Sequence, residues 1–125
     1  MDDSENQQKR IEKIAKSLKS LLRKGLKPDK LRAADGIIQR VAFMQVELED
    51  LEFDIKQHGT TEMFSQTPGV KYARERPASA IYNRTIKNYV SACKQLFDLL
   101  PKEDKSQIPA QGAELLKFVA AGGGK

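Results

Sequence analysis

The chain has 125 residues, of which 39% are hydrophobic and 31% are charged, and its net charge is +5. This length suits one domain with a modest core, and the composition is that of a folded helical protein rather than a disordered one. No apolar run approaches the roughly 20 residues that a membrane span needs, and the polar, acidic start predicts a cytosolic product. With one cysteine and one histidine, an intrachain disulfide and a Cys/His zinc site are excluded.

The first predicted helix runs from about Ser4 to Lys24. Its isoleucines and leucines recur every three or four residues, so they fall on one face. Gly25 suits the left-handed position that follows a helix, and Pro28 prevents the helix from continuing. The pattern therefore predicts an amphipathic helix followed by a sharp turn.

A second helix is predicted from about Asp29 to His58. One apolar stripe alternates three- and four-residue steps from Ala34 to Ile55, which is typical of a helix-on-helix seam. Because a hairpin partner covers only one stripe, we interpret a second stripe as an interface between copies of the chain, with burial under the first helix as the competing interpretation. This second stripe lies about 100–180° around the helix from the first stripe and comprises Ile38, Ala42, Val46 and Phe53.

The third helix is predicted from about Pro77 to Leu100, and its apolar stripe matches the seam of the second helix, so the two should pair antiparallel. Between them, residues 60–64 and 70–74 flank a Pro-Gly turn and predict a short β-hairpin, with an irregular loop as the alternative. After Pro101, a polar linker leads to a short predicted helix that contains Leu115, Leu116 and Val119.

The predicted fold is therefore all-α. It consists of a central antiparallel helical hairpin with an N-terminal basic helix, a loop or short β-hairpin between the long helices, and a short C-terminal helix. We divide the chain into an N-terminal basic helix (1–28), a helical-hairpin oligomerisation core (29–101), and a C-terminal linker, short helix and flexible tail (102–125).

Positive charge is concentrated near the start of the chain. Residues 9–32 hold ten basic and two acidic residues, a local charge of +8, so the remainder carries −3. On the first helix these side chains lie opposite the apolar stripe, as contact with nucleic-acid phosphates requires. A solvated face is the main alternative; a membrane-bound helix is disfavoured because the apolar face lacks Trp and Phe. The predicted DNA-binding residues are Lys9, Arg10, Lys13, Lys16, Lys19, Arg23, Lys24, Lys27, Lys30 and Arg32.

Two further charged groups stand out. One group lies around the loop and the start of the third helix and comprises Lys71, Arg74, Arg76, Arg84 and Lys87. These residues could form a second band of phosphate contacts, but we slightly favour the interpretation that they are ordinary solvated surface charges. An acidic stretch spans Glu47 to Asp54. We expect it to pair with Arg84 and Lys87 or with another copy of the chain. A metal site is disfavoured because these carboxylates point in several directions on one helix.

No catalytic constellation is evident in the sequence. There is no phosphate-cradling glycine loop in a strand-turn-helix context and no convincing nucleophile–base pair. His58 is best explained as a helix C-terminal residue and Cys93 as part of the seam. We therefore predict a non-enzymatic protein without a cofactor or a bound metal.

Within residues 36–101 a long helix ends in residues 51–59 (LEFDIKQHG), a polar loop contains a Pro-Gly turn, a helix opens with residues 75–82 (ERPASAIY), and it closes on residues 96–101 (LFDLLP). This order of segments resembles the small terminase subunits of tailed phages. In the family, a helix closes on Ile…Gly, a loop leads to a start such as Arg-Pro-Ala, and the last helix ends near Leu…Leu-Gly-Leu…Pro. This chain departs from the pattern in lacking that Gly-Leu pair and in having an N-terminal region short for a full helix-turn-helix domain.

The resemblance implies a ring-like homo-oligomer, built through the central hairpin, that binds viral double-stranded DNA at the packaging site. It also implies regulation of a separate large terminase subunit, which carries the ATPase and nuclease, in the cytoplasm of an infected bacterial host. The basic N-terminal region would contact DNA, and the short C-terminal helix would contact the large subunit. Two alternatives stay open: a helical-hairpin scaffold or adaptor without a DNA role, and a small basic nucleic-acid-binding protein unrelated to packaging.

Overall fold

A computed structural model of the protein describes residues 3–101. Within them the order of elements is α1 (Asp3–Arg23), α2 (Pro28–His58), β1 (Thr61–Thr67), β2 (Val70–Glu75) and α3 (Pro77–Asp98). The three long helices are therefore confirmed, each close to its predicted ends. The predicted C-terminal helix and tail lie outside the described residues.

Helix α2 lies at the centre of the described fold, and α1 and α3 both pack on it. Because only residues 24–27 separate α1 from α2, these two helices run antiparallel. Arg10, early in α1, accordingly binds Glu49, late in α2. Near the start of α3, the Tyr82 hydroxyl donates a hydrogen bond to Glu52. The start of α3 thus lies beside the end of α2, as expected for the predicted antiparallel hairpin.

The corner between α1 and α2 follows from the local sequence. The backbone N–H of Leu26 donates to the carbonyl oxygen of Leu22 at 2.9 Å, and the Leu26 side chain is buried. Pro28 then occupies the first turn of α2, where the N–H that proline lacks would have no partner in the helix. The corner is therefore tight and anchored by an apolar side chain.

One hydrophobic core joins all three helices. Its largest fully buried side chains are Leu18, Leu22, Ile38, Val41, Val46 and Leu96. Each such side chain contributes about 1.5–3 kcal/mol when it is fully removed from water. The boundary predicted at residue 28 thus separates two stretches of sequence that share a core.

Three of the four residues predicted to join copies of the chain lie inside this core. Ile38 and Ala42 are each 0% exposed and Val46 is 2% exposed, because α1 covers that side of α2. Phe53 alone keeps an open surface, at 67% exposure. The interface prediction is corrected accordingly: an apolar stripe under a neighbouring helix has the same pattern in sequence as one between subunits.

Strands β1 and β2 form the short hairpin that the sequence offered as an alternative to a loop. They pair antiparallel, with Phe64 opposite Tyr72. Gly69 has a φ of 85°, the conformation that a type II turn requires after Pro68. The mainly helical character is therefore confirmed, but the described fold also contains a small two-stranded sheet and so is not all-α.

Side chains on one face of the hairpin support it, as a two-stranded sheet requires. The rings of Phe64 and Tyr72 meet edge to face, with centroids 5.9 Å apart. The Arg74 guanidinium lies 3.5 Å from the Phe64 ring centroid, and its Nε donates to Glu62 at 2.7 Å. These contacts hold the two strands together where no helix covers them.

Candidate nucleic-acid interface

Helix α1 presents apolar and basic side chains on opposite sides. Leu18 is 1% exposed and faces the core, and a rotation of about 100° per residue places Lys9 and Lys16 on the far side of the helix. The exposed basic side, here called the outer ridge, comprises Lys9, Lys13, Lys16, Arg23 and Lys24. The first four of these make no ion pair with any described residue. Their charges are therefore available to an external anion.

A shallow depression of about 440 Å³ lies along the outer ridge. It is lined by Lys13, Lys16, Lys24, Ser17, Ser20 and Leu21. Ammonium groups and hydroxyls both donate hydrogen bonds to phosphate oxygens. The lining is thus chemically suited to a nucleic-acid backbone rather than to an apolar ligand.

The corner after α1 continues the positive surface. Lys27, Lys30 and Arg32 are exposed and make no ion pair within residues 3–101. They surround the start of α2, where the helix dipole adds partial positive charge. Lys27 and Lys30 also line a cleft of about 580 Å³ between the corner and the end of α3. The basic surface, meaning the outer ridge together with these three residues, therefore extends around one end of the fold.

Arg10 is an exception among the predicted DNA-binding residues. Its guanidinium donates to Asp50 at 2.7 Å and to Glu49 at 2.9 Å. The hydrogen bond to Asp50 is the main reason why the pKa of Arg10 is raised above its ordinary value. Gln7 also donates to Asp50, and Gln45 to Glu49. Arg10 therefore joins α1 to α2 instead of facing outward.

Lys19 is the second exception. Its ammonium group lies 3.3 Å from a carboxylate oxygen of Asp35 on α2, with both side chains about 40% exposed. Such a half-exposed pair contributes little to stability, about 0–1 kcal/mol. Because Asp35 nevertheless neutralises the charge of Lys19, we assign Lys19, like Arg10, to the seam between α1 and α2.

The acidic stretch of α2 pairs with partners other than those expected. Glu49 and Asp50 bind Arg10 of α1, and Asp54 binds Arg76, whose Nη2 lies 2.9 Å away. The expected partners on α3, Arg84 and Lys87, are exposed and make no ion pair with a described residue. Sequence spacing alone did not reveal that Arg10 pairs with this acidic stretch, because its partners lie about 40 residues further along the chain.

The second predicted band divides in the same way. Arg74 is held by Glu62 and Phe64 within the hairpin. Arg76 binds Asp54 and donates to the backbone oxygen of Gly59, which closes the base of the hairpin. Lys71, Arg84 and Lys87 are exposed without an ion pair in the described part of the chain. Two of the five residues thus support the fold, and three are available to a partner.

Neither a metal site nor a membrane-spanning helix is found in residues 3–101. No group of His, Cys, Asp and Glu side chains there could hold a metal ion. No helix there is both long enough and apolar enough to span a bilayer. His58 lies 3.8 Å from Asp54 at the end of α2 and is exposed. Cys93 is partly buried beside Tyr89, and burial raises the pKa of its thiol, which disfavours the nucleophilic thiolate.

Comparison with known proteins adds no assignment. The chain matches no protein-family model, no curated protein and no solved structure. The basic surface and the resemblance of residues 36–101 to small terminase subunits are therefore the two observations that bear on function.

Proposed function

We propose that the protein binds double-stranded DNA through its basic surface. The observation that carries this proposal is the set of exposed cations along α1 and around the α1–α2 corner. Seven of them make no ion pair with a described residue: Lys9, Lys13, Lys16, Arg23, Lys27, Lys30 and Arg32. Cations without internal partners can replace the counterions condensed on a nucleic-acid backbone.

The dimensions of the outer ridge suit a duplex. From Lys9 to Lys24 the helix rises about 22 Å, at about 1.5 Å per residue. A duplex carries one phosphate charge per about 1.7 Å of its axis, so a ridge of this length faces roughly a dozen charges. Lysine and arginine contacts to phosphates position a protein but do not read sequence. The ridge therefore favours affinity for DNA of any sequence.

We further propose, from the resemblance of residues 36–101, that the protein is a small terminase subunit. In this role it would mark viral DNA for packaging and regulate a large subunit with ATPase and nuclease activity. Assembly into a ring belongs to this proposal. Two large apolar side chains of α2 that stay open for such assembly are Phe43 and Phe53, which are 54% and 67% exposed.

Salt-dependent DNA binding tests the first part of the proposal. Fluorescence anisotropy with a labelled duplex, measured from 50 to 200 mM salt, gives the slope of log Kobs against log salt. Replacing Lys9, Lys13 and Lys16 by Gln should make that slope shallower by about 2.7, at about 0.9 per lost phosphate contact. The loss of affinity should be similar for unrelated DNA sequences, because these contacts are to the backbone.

A matched control removes the same charge elsewhere. Arg40, Lys56 and Lys94 are also exposed and make no ion pair with a described residue, so their triple replacement by Gln lowers the net charge equally. We expect this control to keep at least two thirds of the salt slope. Equal losses in the two triple variants would show that net charge, and not the outer ridge, determines binding, and would contradict the assignment.

Solution mass tests the second part. Light scattering should give a particle several times the chain mass of 14.0 kDa, and Phe53→Glu should reduce it. A strict monomer at all concentrations would count against the terminase proposal while leaving DNA binding intact. An oligomer without DNA affinity would instead favour the scaffold or adaptor alternative.

A further inference from the structure

Helix α3 carries a strip of apolar side chains that are partly or largely exposed. Val90 is 57% exposed and Phe97 is 38% exposed, although both are large and apolar. Ile86 lies on the same side of α3 at helical spacing and is only partly buried. We call this strip, from Ile86 to Phe97, the α3 apolar face.

Helix α2 borders the α3 apolar face. Ile37 and Met44 are partly buried hydrophobic residues of α2 that pack at the edge of the core. They lie about 100–180° around α2 from Ile38 and Val46. No element within residues 3–101 packs against α3 except α2 to any substantial extent. The α3 apolar face thus borders the shallow groove between the two packed helices, α2 and α3.

The C-terminal sequence has the length and pattern to fill this groove. The described chain ends at Pro101, just after the end of α3, and 24 further residues follow. Residues 109–121 repeat Leu115, Leu116 and Val119 at helical spacing. As a helix they would extend about 20 Å, and the α3 apolar face spans about 17 Å by the same rise. The seven residues 102–108 can reach up to about 24 Å, which is enough for the chain to turn back along α3.

We propose that residues 109–121 dock on the α3 apolar face of their own chain, with Leu115, Leu116 and Val119 covering Val90 and Phe97. A short connection keeps the two surfaces at a high effective concentration, on the order of millimolar for a flexible linker. A second copy or another protein would have to compete with this intramolecular partner. The apolar face is then closed in the free protein.

Cys93 provides a reporter for this contact. It is the only cysteine, it lies one turn from Val90 and Phe97 on α3, and it is partly buried. The rate of its alkylation by iodoacetamide at a fixed pH measures access to the groove. We expect the rate to rise roughly fivefold when the chain stops at Lys102, because local access controls thiol reactivity. This measurement does not involve DNA, so its result is independent of the proposed function.

A full-length pair of variants guards against a misfolded truncation. Leu116→Asp with Val119→Asp should raise the alkylation rate as the truncation does. Ala110→Asp with Ala121→Asp adds the same charge on the opposite side of the predicted helix and should leave the rate within about twofold of the original, since the apolar stripe is intact. An unchanged rate in the Leu116/Val119 variant, or equal rises in both variants, overturns the proposal.

Concentration dependence separates the intramolecular contact from the alternatives. Protection of Cys93 should be the same over a hundredfold range of protein concentration. A synthetic peptide of residues 109–121, added to the truncated chain at millimolar concentration, should restore slow alkylation. Protection that grows with protein concentration would show that a second copy covers the groove, and would overturn the proposal.

Discussion

The two flanks and the outer ridge of α1 carry the same residue types in different roles. Arg10 and Lys19 lie on the flanks and bind carboxylates of α2. Lys9, Lys13 and Lys16 lie on the outer ridge and make no ion pair with any described residue. The difference is one of angle around the helix: a basic side chain at the edge of the apolar stripe meets the next helix, whereas one opposite the stripe meets solvent.

This comparison shows how one helix can serve both the fold and a binding surface. The apolar stripe anchors α1 in the core, and the flanking cations fix how α1 lies on α2. The outer ridge contributes little to either, so its composition can follow the requirements of a partner. If this division is correct, substitutions on the three parts of α1 should differ in kind as well as in size.

The largest expected effect belongs to the apolar stripe. Leu18 is 1% exposed, so Leu18→Ala should lower the free energy of unfolding by about 2–5 kcal/mol through lost burial and the cavity left behind. Urea unfolding followed by circular dichroism measures it. Lys16→Ala, two residues away on the outer ridge, should change stability by no more than about 0.5 kcal/mol. A small effect of Leu18→Ala would mean that α1 is not part of the core.

The flanks should give an intermediate effect. Arg10→Met leaves Glu49, whose side chain is 14% exposed, without its main cation. Hydrogen bonds to charged groups contribute about 1.5–3 kcal/mol, and partial exposure reduces that, so we expect a loss of about 1–2 kcal/mol in the same urea assay. Lys13→Met serves as the control on the outer ridge. Equal stability of the two variants would remove the distinction between flank and ridge.

Much of the fold could be predicted because its signals are local. Pro28 and Pro77 open helices where a missing N–H does no harm, and Gly59 and Gly69 adopt the positive φ that their positions need. Apolar residues at helical spacing determine where each helix runs. The Pro-Gly turn between two β-prone stretches was enough to suggest the hairpin, although not to exclude a loop.

The parts that sequence could not settle depend on long-range contacts. The second stripe of α2 could equally face another subunit or α1, and only the packed structure shows that α1 covers Ile38, Ala42 and Val46. Likewise, the sequence shows ten cations near the N-terminus but does not show which of them form ion pairs within the chain. Arg10 binds Glu49, whereas its nearest neighbours on the outer ridge make no ion pair with a described residue. The fold therefore narrows the predicted DNA-binding set by assigning Arg10 and Lys19 to contacts within the chain.

Alkaline pH should lower the stability of the protein through Tyr89 and Cys93, which lie on α3. Burial raises the pKa of Tyr89 and of Cys93 above their ordinary values of 10.0 and 9.0. Folding then favours the protonated forms, so their contribution to stability is complete below about pH 9 and is lost as the pH rises above it. The free energy of unfolding should fall by no more than about 1.4 kcal/mol per pH unit for each group. Urea midpoints from pH 7 to 10.5 measure this decline.

Tyr89→Phe identifies the tyrosine part of that decline. The Tyr89 hydroxyl is buried without a full hydrogen bond among the described residues, and its neighbour Cys93 offers only a weakly hydrogen-bonding thiol. Its removal should make the protein more stable at pH 7 by up to about 1 kcal/mol, because an unsatisfied buried polar group is costly. The variant should also lose less stability above pH 10. A decline identical to that of the original chain would show that Tyr89 is not responsible.

Lys19 should give the smallest effect, because it is intermediate between a flank and the ridge. Its distance to Asp35 is 3.3 Å and both side chains are about 40% exposed, so Lys19→Met should cost only about 0–1 kcal/mol. The loss should vanish in 1 M salt, where exposed charges are screened beyond about 3 Å, whereas part of the Arg10→Met loss should persist. If Lys19→Met lowers DNA affinity as much as Lys16→Gln does, Lys19 leaves Asp35 to bind phosphate, and the outer ridge is wider than the free structure indicates.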